Sequence, residues 1–142
     1  MANAIYPLYK NQILTEGANT SLTGTTAADA PVVALIDTGT YGYSPAHSTY
    51  ANLSGIIGTP QQIVSPTVGT VAAGVFDGDN VTFTSVTGAS VEALVIWVAN
   101  GTLTGATSWL VVYEDTGVTG LPVTPNGGDI SVTFSASGIF LI

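Results

Sequence analysis

Residues 93–98 read Ala-Leu-Val-Ile-Trp-Val, and Asn100-Gly101 follows at once. Val32 to Ile36 and Leu110 to Tyr113 are two more such runs. An unbroken apolar run of four to six residues bounded by turn formers reads as a strand buried on both faces. These runs are too short and too β-branched for helices of ordinary length. They constrain the chain more than any other feature, because strands apolar on both sides need cover above and below the sheet.

Shorter stretches alternate instead. Val81-Thr82-Phe83-Thr84-Ser85-Val86 puts Val81, Phe83 and Ser85 on one face. Ile130-Ser131-Val132-Thr133-Phe134 turns Ile130, Val132 and Phe134 to a core, and Ile139 to Ile142 forms a last short strand. Asp77-Gly78-Asp79-Asn80 and Asn126-Gly127-Gly128-Asp129 precede two of these stretches and supply positive φ at glycine. Asn100-Gly101 ends the 93–98 strand, and the loop through Ala106 returns the chain to Trp109 as an antiparallel hairpin.

Two short helices are expected. Pro7 suits a first helical position, with Leu8 to Leu14 continuing before Gly17. Ser44 can cap a second helix with Pro45 at its start, running to about Leu53 before Gly55. Residues 17–30 are small and polar and read as an extended arm or loop; 55–74 are rich in Gly and Pro and read as another extended segment. No solenoid period is present. The expected fold is mainly β: an antiparallel sheet or sandwich-like core with one or two short helices. Residues 1–30 are expected as an extended N-terminal arm with a short helix, and 31–142 as one β-rich domain.

Charge narrows the function classes. The chain has 142 residues, nine acids and one base, Lys10, for a formal net charge of -8, and only 7% of its residues are charged. An ordinary soluble domain carries about 25%. Binding to nucleic acid is excluded on this ground, since neutralising phosphates takes Lys and Arg. The uncharged stretch from Ala93 to Tyr113 is interrupted by Asn100-Gly101-Thr102 and Thr104-Gly105-Ala106, so no membrane span is expected. The opening Met1-Ala2-Asn3-Ala4-Ile5 has no basic segment or apolar core of a secretory leader. There is no cysteine, hence no disulfide framework and no thiolate metal site. Weakly charged surface of this kind suits a protein that lives docked on something else.

Several motifs carry possible chemistry. Ala34-Leu35-Ile36-Asp37-Thr38-Gly39-Thr40 matches the aspartic-protease signature, and Asp115-Thr116-Gly117 repeats its centre. A dyad needs two carboxylates about 3 Å apart. Glu114 stands where the second motif needs an apolar residue, and Ile56-Ile57-Gly58 follows Asp37 too closely to leave room for a flap. Asp37 is therefore expected to end a strand, bonding backbone amides beside Gly39. His47, with Ser44 and Ser48 nearby, lacks an elbow motif and the rest of a triad. Asp77 and Asp79 open like a calcium loop, but no further ligands follow at the required offsets, leaving a weak calcium candidate. No cofactor motif is present.

Four stretches are similar to one family. IYPLYKNQIL, APVVALIDTGTYGYSPAHSTYANL, VFDGDNVTFTSVTGASVEALVIWVAN and GLPVTPNGGDISVTF together resemble virion structural proteins of tailed bacteriophages, small head proteins that include capsid cement or decoration proteins. The resemblance implies a non-enzymatic protein, made in the host cytoplasm, that binds the outer surface of the head. Its partners would be the major capsid protein and itself, as a dimer or trimer on the shell, with no cofactor. Binding the assembled lattice in preference to its dissociated parts would stabilise the shell, and many copies would add through multivalency. In this setting Tyr6, Leu8, Tyr9 and Ile13 are expected as the arm's apolar anchor, with Lys10 its one cation. A competing expectation is a receptor- or glycan-binding virion module stacking sugars on Tyr41, Tyr43, Tyr50, Trp97 and Trp109.

Overall fold

The computed structural model describes residues 3–142. Its main element is a five-stranded antiparallel sheet. In spatial order the strands are β1 (Ala4–Ile5), β8 (Trp109–Glu114), β7 (Ala93–Val98), β2 (Pro31–Ile36) and β3 (Ile56–Gln62). The unbroken apolar runs take the inner places, and every residue of β2 and β7 is buried. β7 and β8 form the expected hairpin. Two small sheets accompany the large one. β10 (Phe140–Leu141), β5 (Val75–Asp77) and β4 (Thr67–Val68) make one, and β6 (Val81–Phe83) with β9 (Ile130–Val132) makes the other. In β6 and β9 the alternation holds: Val81, Phe83, Ile130 and Val132 are buried while Thr82 and Ser131 are exposed. Phe134 lies past the end of β9, only partly buried, because Thr133 leaves the ladder to bridge Thr119. The small sheets and the large one share a continuous core that includes Ile63, Phe76 and Phe83.

Register assigns the faces of the large sheet, since directly opposed residues lie on one side. Leu35, Leu94 and Glu114 are opposed in turn across β2, β7 and β8, and Ile96, Val112 and Ile5 across β7, β8 and β1. Tyr113 opposes Val95 and Ala4 on the other side. That second side is covered by tyrosines. The Tyr113 ring lies 6.4 Å from Tyr41 and 6.0 Å from Tyr43, and Tyr6 stacks on Tyr43 at 5.2 Å.

These contacts correct the expected arm. Residues 1–2 of it lie outside the described residues. The next part pairs with β8 through β1 and continues into helix α1 (Pro7–Leu14), which opens on Pro7 as expected. Tyr6 and Tyr9 are fully buried. The Tyr6 hydroxyl is 2.8 Å from that of Tyr41, and the Tyr9 hydroxyl donates to the Thr20 carbonyl at 2.7 Å. Burying one aromatic side chain removes about 150–250 Å² from water, a gain of a few kcal/mol at about 25 cal/mol per Å². Two such rings fasten the segment to the body, so it does not reach outward.

The expected second helix is also corrected. Residues 44–53 hold only a turn and a short 3-10 helix, Tyr50–Asn52. The backbone amides are spent on tertiary partners: Tyr50 N–H donates to the Ser108 carbonyl, Ala51 N–H to Ala106, and Leu110 N–H to Ser48. A helix would have to give up those bonds.

The 55–74 segment, expected as extended, contains β3, a strand not singled out in the sequence. Gly58 and Pro60 obscured it, yet β3 is the sheet's outer strand, where proline is tolerated. A register shift opposite Val33 to Leu35 absorbs the irregularity. Gly78 is required for a different reason from the one expected. Its φ is not positive; a Cβ there would collide with the Ile63 side chain, which is fully buried. Gly78→Ala is expected to cost about 1–3 kcal/mol through that overlap, measured by urea denaturation. Among the described residues, no helix is long and apolar enough to cross a membrane.

Candidate functional site

β8 is buried from Leu110 to Glu114, on both faces, and the last of these residues is a carboxylic acid. Glu114 is only 5% exposed. Burial pushes its carboxyl up to about 7, and no hydrogen bond or neighbouring charge offsets the effect. It lines a cleft of about 510 Å³ between β1 and β10, together with Asn3, Ile5, Lys10, Val112 and Leu141. A smaller lobe of about 60 Å³ continues past Glu114 toward Val118, Phe134 and Ile139. Glu114 and Asn3 border both lobes.

Asn3 fixes one end of the cleft. Its Oδ1 accepts from the backbone N–H groups of Asp115 (2.9 Å) and Thr116 (3.1 Å) and from the Thr116 hydroxyl (3.1 Å). Its Nδ2 donates to the Thr116 carbonyl at 3.0 Å. One side chain thus ties the start of β1 to the turn after β8. Asn3→Ala is expected to destabilise the fold by about 1–2 kcal/mol, the net worth of a few partly exposed hydrogen bonds. Hydrogen exchange at Ala4 and Tyr6, whose amides face β8, should accelerate, and unchanged exchange there would refute the clamp.

The protease motif resolves into a turn. Asp37 Oδ1 accepts the Gly39 N–H at 2.8 Å, and Oδ2 accepts the Thr40 hydroxyl at 2.8 Å. Asp37 follows β2 and Asp115 follows β8, with β7 between them. Two strand spacings separate their backbones by about 10 Å, far from the dyad distance. Glu92, just before β7, fills the gap: its Oε2 accepts the N–H and the hydroxyl of Thr38 at 3.0 and 3.1 Å. These bonds, with one from Ser90, hold the Glu92 carboxyl below its usual range, and Asp29 is likewise lowered by Thr26. Asp37→Ala is expected to cost about 1 kcal/mol, the worth of a lost turn-capping acceptor, read as a small drop in denaturation midpoint.

The other sequence candidates fall in separate places. His47 Nδ1 lies 2.9 Å from the Tyr41 hydroxyl, which also meets Tyr6. Asp79 accepts from the Ser65 hydroxyl at 2.8 Å, and Asp77 ends β5. No group of three or more His, Cys, Asp or Glu that could hold a metal ion forms around them or elsewhere among the described residues. Of the sugar-stacking set, Tyr41 and Trp97 are buried in the core, and Tyr43, Tyr50 and Trp109 are half-covered, so they make no open aromatic platform. Of the arm anchors, Tyr6 and Tyr9 are interior, Leu8 is partly covered, and Lys10 and Ile13 are exposed. Lys10 alone reaches the cleft. Sequence reasoning treated Glu114 only as a mismatch in a motif. The signal was position: Glu114 directly continues the apolar run Leu110 to Tyr113 of a strand buried on both faces.

Exposed apolar side chains also occur on the three-stranded sheet, of which Leu141 reaches the cleft. Leu141 is 62% exposed, and Ile142, Val68 and Val71 are also open. They share the β4–β5–β10 sheet and the 69–74 turn, where the Ile142 N–H donates to the Gly74 carbonyl. No family model matches the chain, and no curated protein matches it.

Proposed function

We propose that the protein is a decoration, or cement, protein of a tailed-bacteriophage head. It would bind the outer surface of the shell and stabilise it by bridging subunits of the major capsid protein. The observation that carries the reading is that Val68, Val71, Leu141 and Ile142, on the β4–β5–β10 sheet and its 69–74 turn, are all exposed, in a chain with a single basic residue. Exposed apolar side chains on a surface with few charged residues favour a lasting macromolecular contact. The sequence resemblance in the four stretches above points the same way. A short β body with its opening segment fastened down suits repeated, rigid docking, and many modest contacts would sum on a lattice.

The test uses purified protein and heads assembled without it. Co-sedimentation should saturate, and decorated heads should resist heating better than bare ones. Val68→Asp with Leu141→Asp should abolish binding while leaving the fold intact. Failure of the wild-type chain to bind such heads would remove the reading. Retention on host cells or a glycan array, without binding to heads, would favour a receptor-binding module instead.

A further inference from the structure

We propose that the cleft between β1 and β10 is a strand-addition site, taking an extended peptide segment of another protein whose lysine or arginine pairs with Glu114. Three independent features converge there.

The first is backbone. β1 is the outer strand of the large sheet and β10 the outer strand of the three-stranded one. The Tyr6 N–H donates to Val111 in the large sheet, so by alternation Ile5 turns its own N–H and C=O away from β8. The Ile142 N–H donates to Gly74, so Leu141 likewise turns its N–H and C=O away from β5. Ile5 and Leu141 both line the cleft. An extended segment laid between them meets a ladder edge on either side, as in β-augmentation.

The second is charge. Glu114 is nearly enclosed yet receives no donor among the described residues, an arrangement that costs free energy unless a ligand completes it. A cation seated beside it restores the balance, and the net charge of -8 attracts basic segments from a distance. The third is shape: about 510 Å³ with Ile5, Val112 and Leu141 as apolar walls fits a short stretch of peptide.

A second copy of this chain is a poor occupant. Its one cation, Lys10, lies in α1 and cannot enter a ladder as part of a strand. The inference stands apart from the shell reading: it is judged by peptide binding alone, and its failure would leave decoration intact.

The experiment titrates the full chain, by amide NMR at about pH 8, where Glu114 is ionised, with pentapeptide pools. The central residue is fixed as Lys, Gln or Glu between Thr, Val or Ile flanks. The Lys pool should shift the amides of Ile5 and Leu141 and bind at least about tenfold tighter than the Gln pool, the value of a charge-assisted hydrogen bond. Glu114→Gln should bring the two pools within about twofold of each other, and N-methylation of the peptide backbone should abolish binding. Equal binding of the Lys and Glu pools, shifts located elsewhere, or no saturation would overturn the proposal. So would butylamine binding as tightly as the Lys pool, which makes the cleft a small-amine site. A dimer dissolved by Lys10→Gln would give the cleft to a second copy and also overturn it.

Discussion

Trp97→Ala is expected to destabilise the protein by about 3–5 kcal/mol, the usual cost of removing a buried indole. Trp97 sits in β7 with no exposed surface, where the register with β8 shifts between Ile96 and Trp97. Its ring packs on Tyr50 at a centroid distance of 5.0 Å, and its Nε1–H donates to the Leu103 carbonyl at 2.6 Å. Truncation therefore opens a cavity under the 3-10 turn and strands a carbonyl in the β7–β8 connection. Trp97→Phe keeps much of the volume and loses the bond, so it should cost less, about 1–3 kcal/mol. Urea denaturation monitored by circular dichroism reads both variants. A Trp97→Ala midpoint indistinguishable from wild type would mean that this part of the core collapses freely around the gap.

Glu114→Gln is expected to stabilise the protein, and only above weakly acidic pH. The carboxyl's ordinary 4.5 becomes about 7 in the folded chain because burial disfavours the charged form. Below about 4.5 both states hold the proton and the group contributes nothing to the balance. Between 4.5 and 7 the unfolded chain ionises first, so stability falls as pH rises. Above 7 the folded protein carries the full penalty, about 3 kcal/mol for that displacement. Glutamine resembles the protonated acid, so the variant should gain that amount at about pH 8 and almost nothing at about pH 4. Glu92 and Asp29, whose carboxyls are lowered, act in the opposite sense: what they contribute is lost as pH falls through their folded-state values. Their effect is common to both proteins and cancels in the comparison. Equal stabilities at both pH values would show that Glu114 is solvated in the folded chain. A fully bound basic peptide should erase the difference too, by holding the carboxylate ionised in a favourable site.

The two predictions bear on different kinds of residue, and the sequence revealed them unequally. Trp97 stood in an apolar run whose burial on both faces followed from its composition and its turn boundaries. Asp37 was legible as a turn because Thr38-Gly39-Thr40 supplies the amide and hydroxyl that its carboxylate accepts. Glu114 was visible only as a departure from a motif. Its cleft needs Ile5, about 110 positions earlier in the chain, and Leu141 near the other end, and local pattern contains no information on that meeting.

Alternation and punctuation by themselves determined the mainly β fold, the inner places of β2 and β7, the β7–β8 hairpin, the α1 start at Pro7 and the turn at Asp37. These depend on contacts between near neighbours or on whether a side chain prefers water. Tertiary structure decided the rest. Residues 44–53 gave up a locally reasonable helix because Ser108, Ala106 and Leu110 offered their backbones better partners. The segment expected to reach outward turned inward because Tyr6 packed among distant tyrosines and Tyr9 was buried with its hydroxyl on the Thr20 carbonyl. An acid ended inside because it continues a strand buried on both faces, and two strand edges from opposite ends of the chain enclosed it. Each outcome rests on a long-range choice among partners, which the packed chain makes and a local segment cannot.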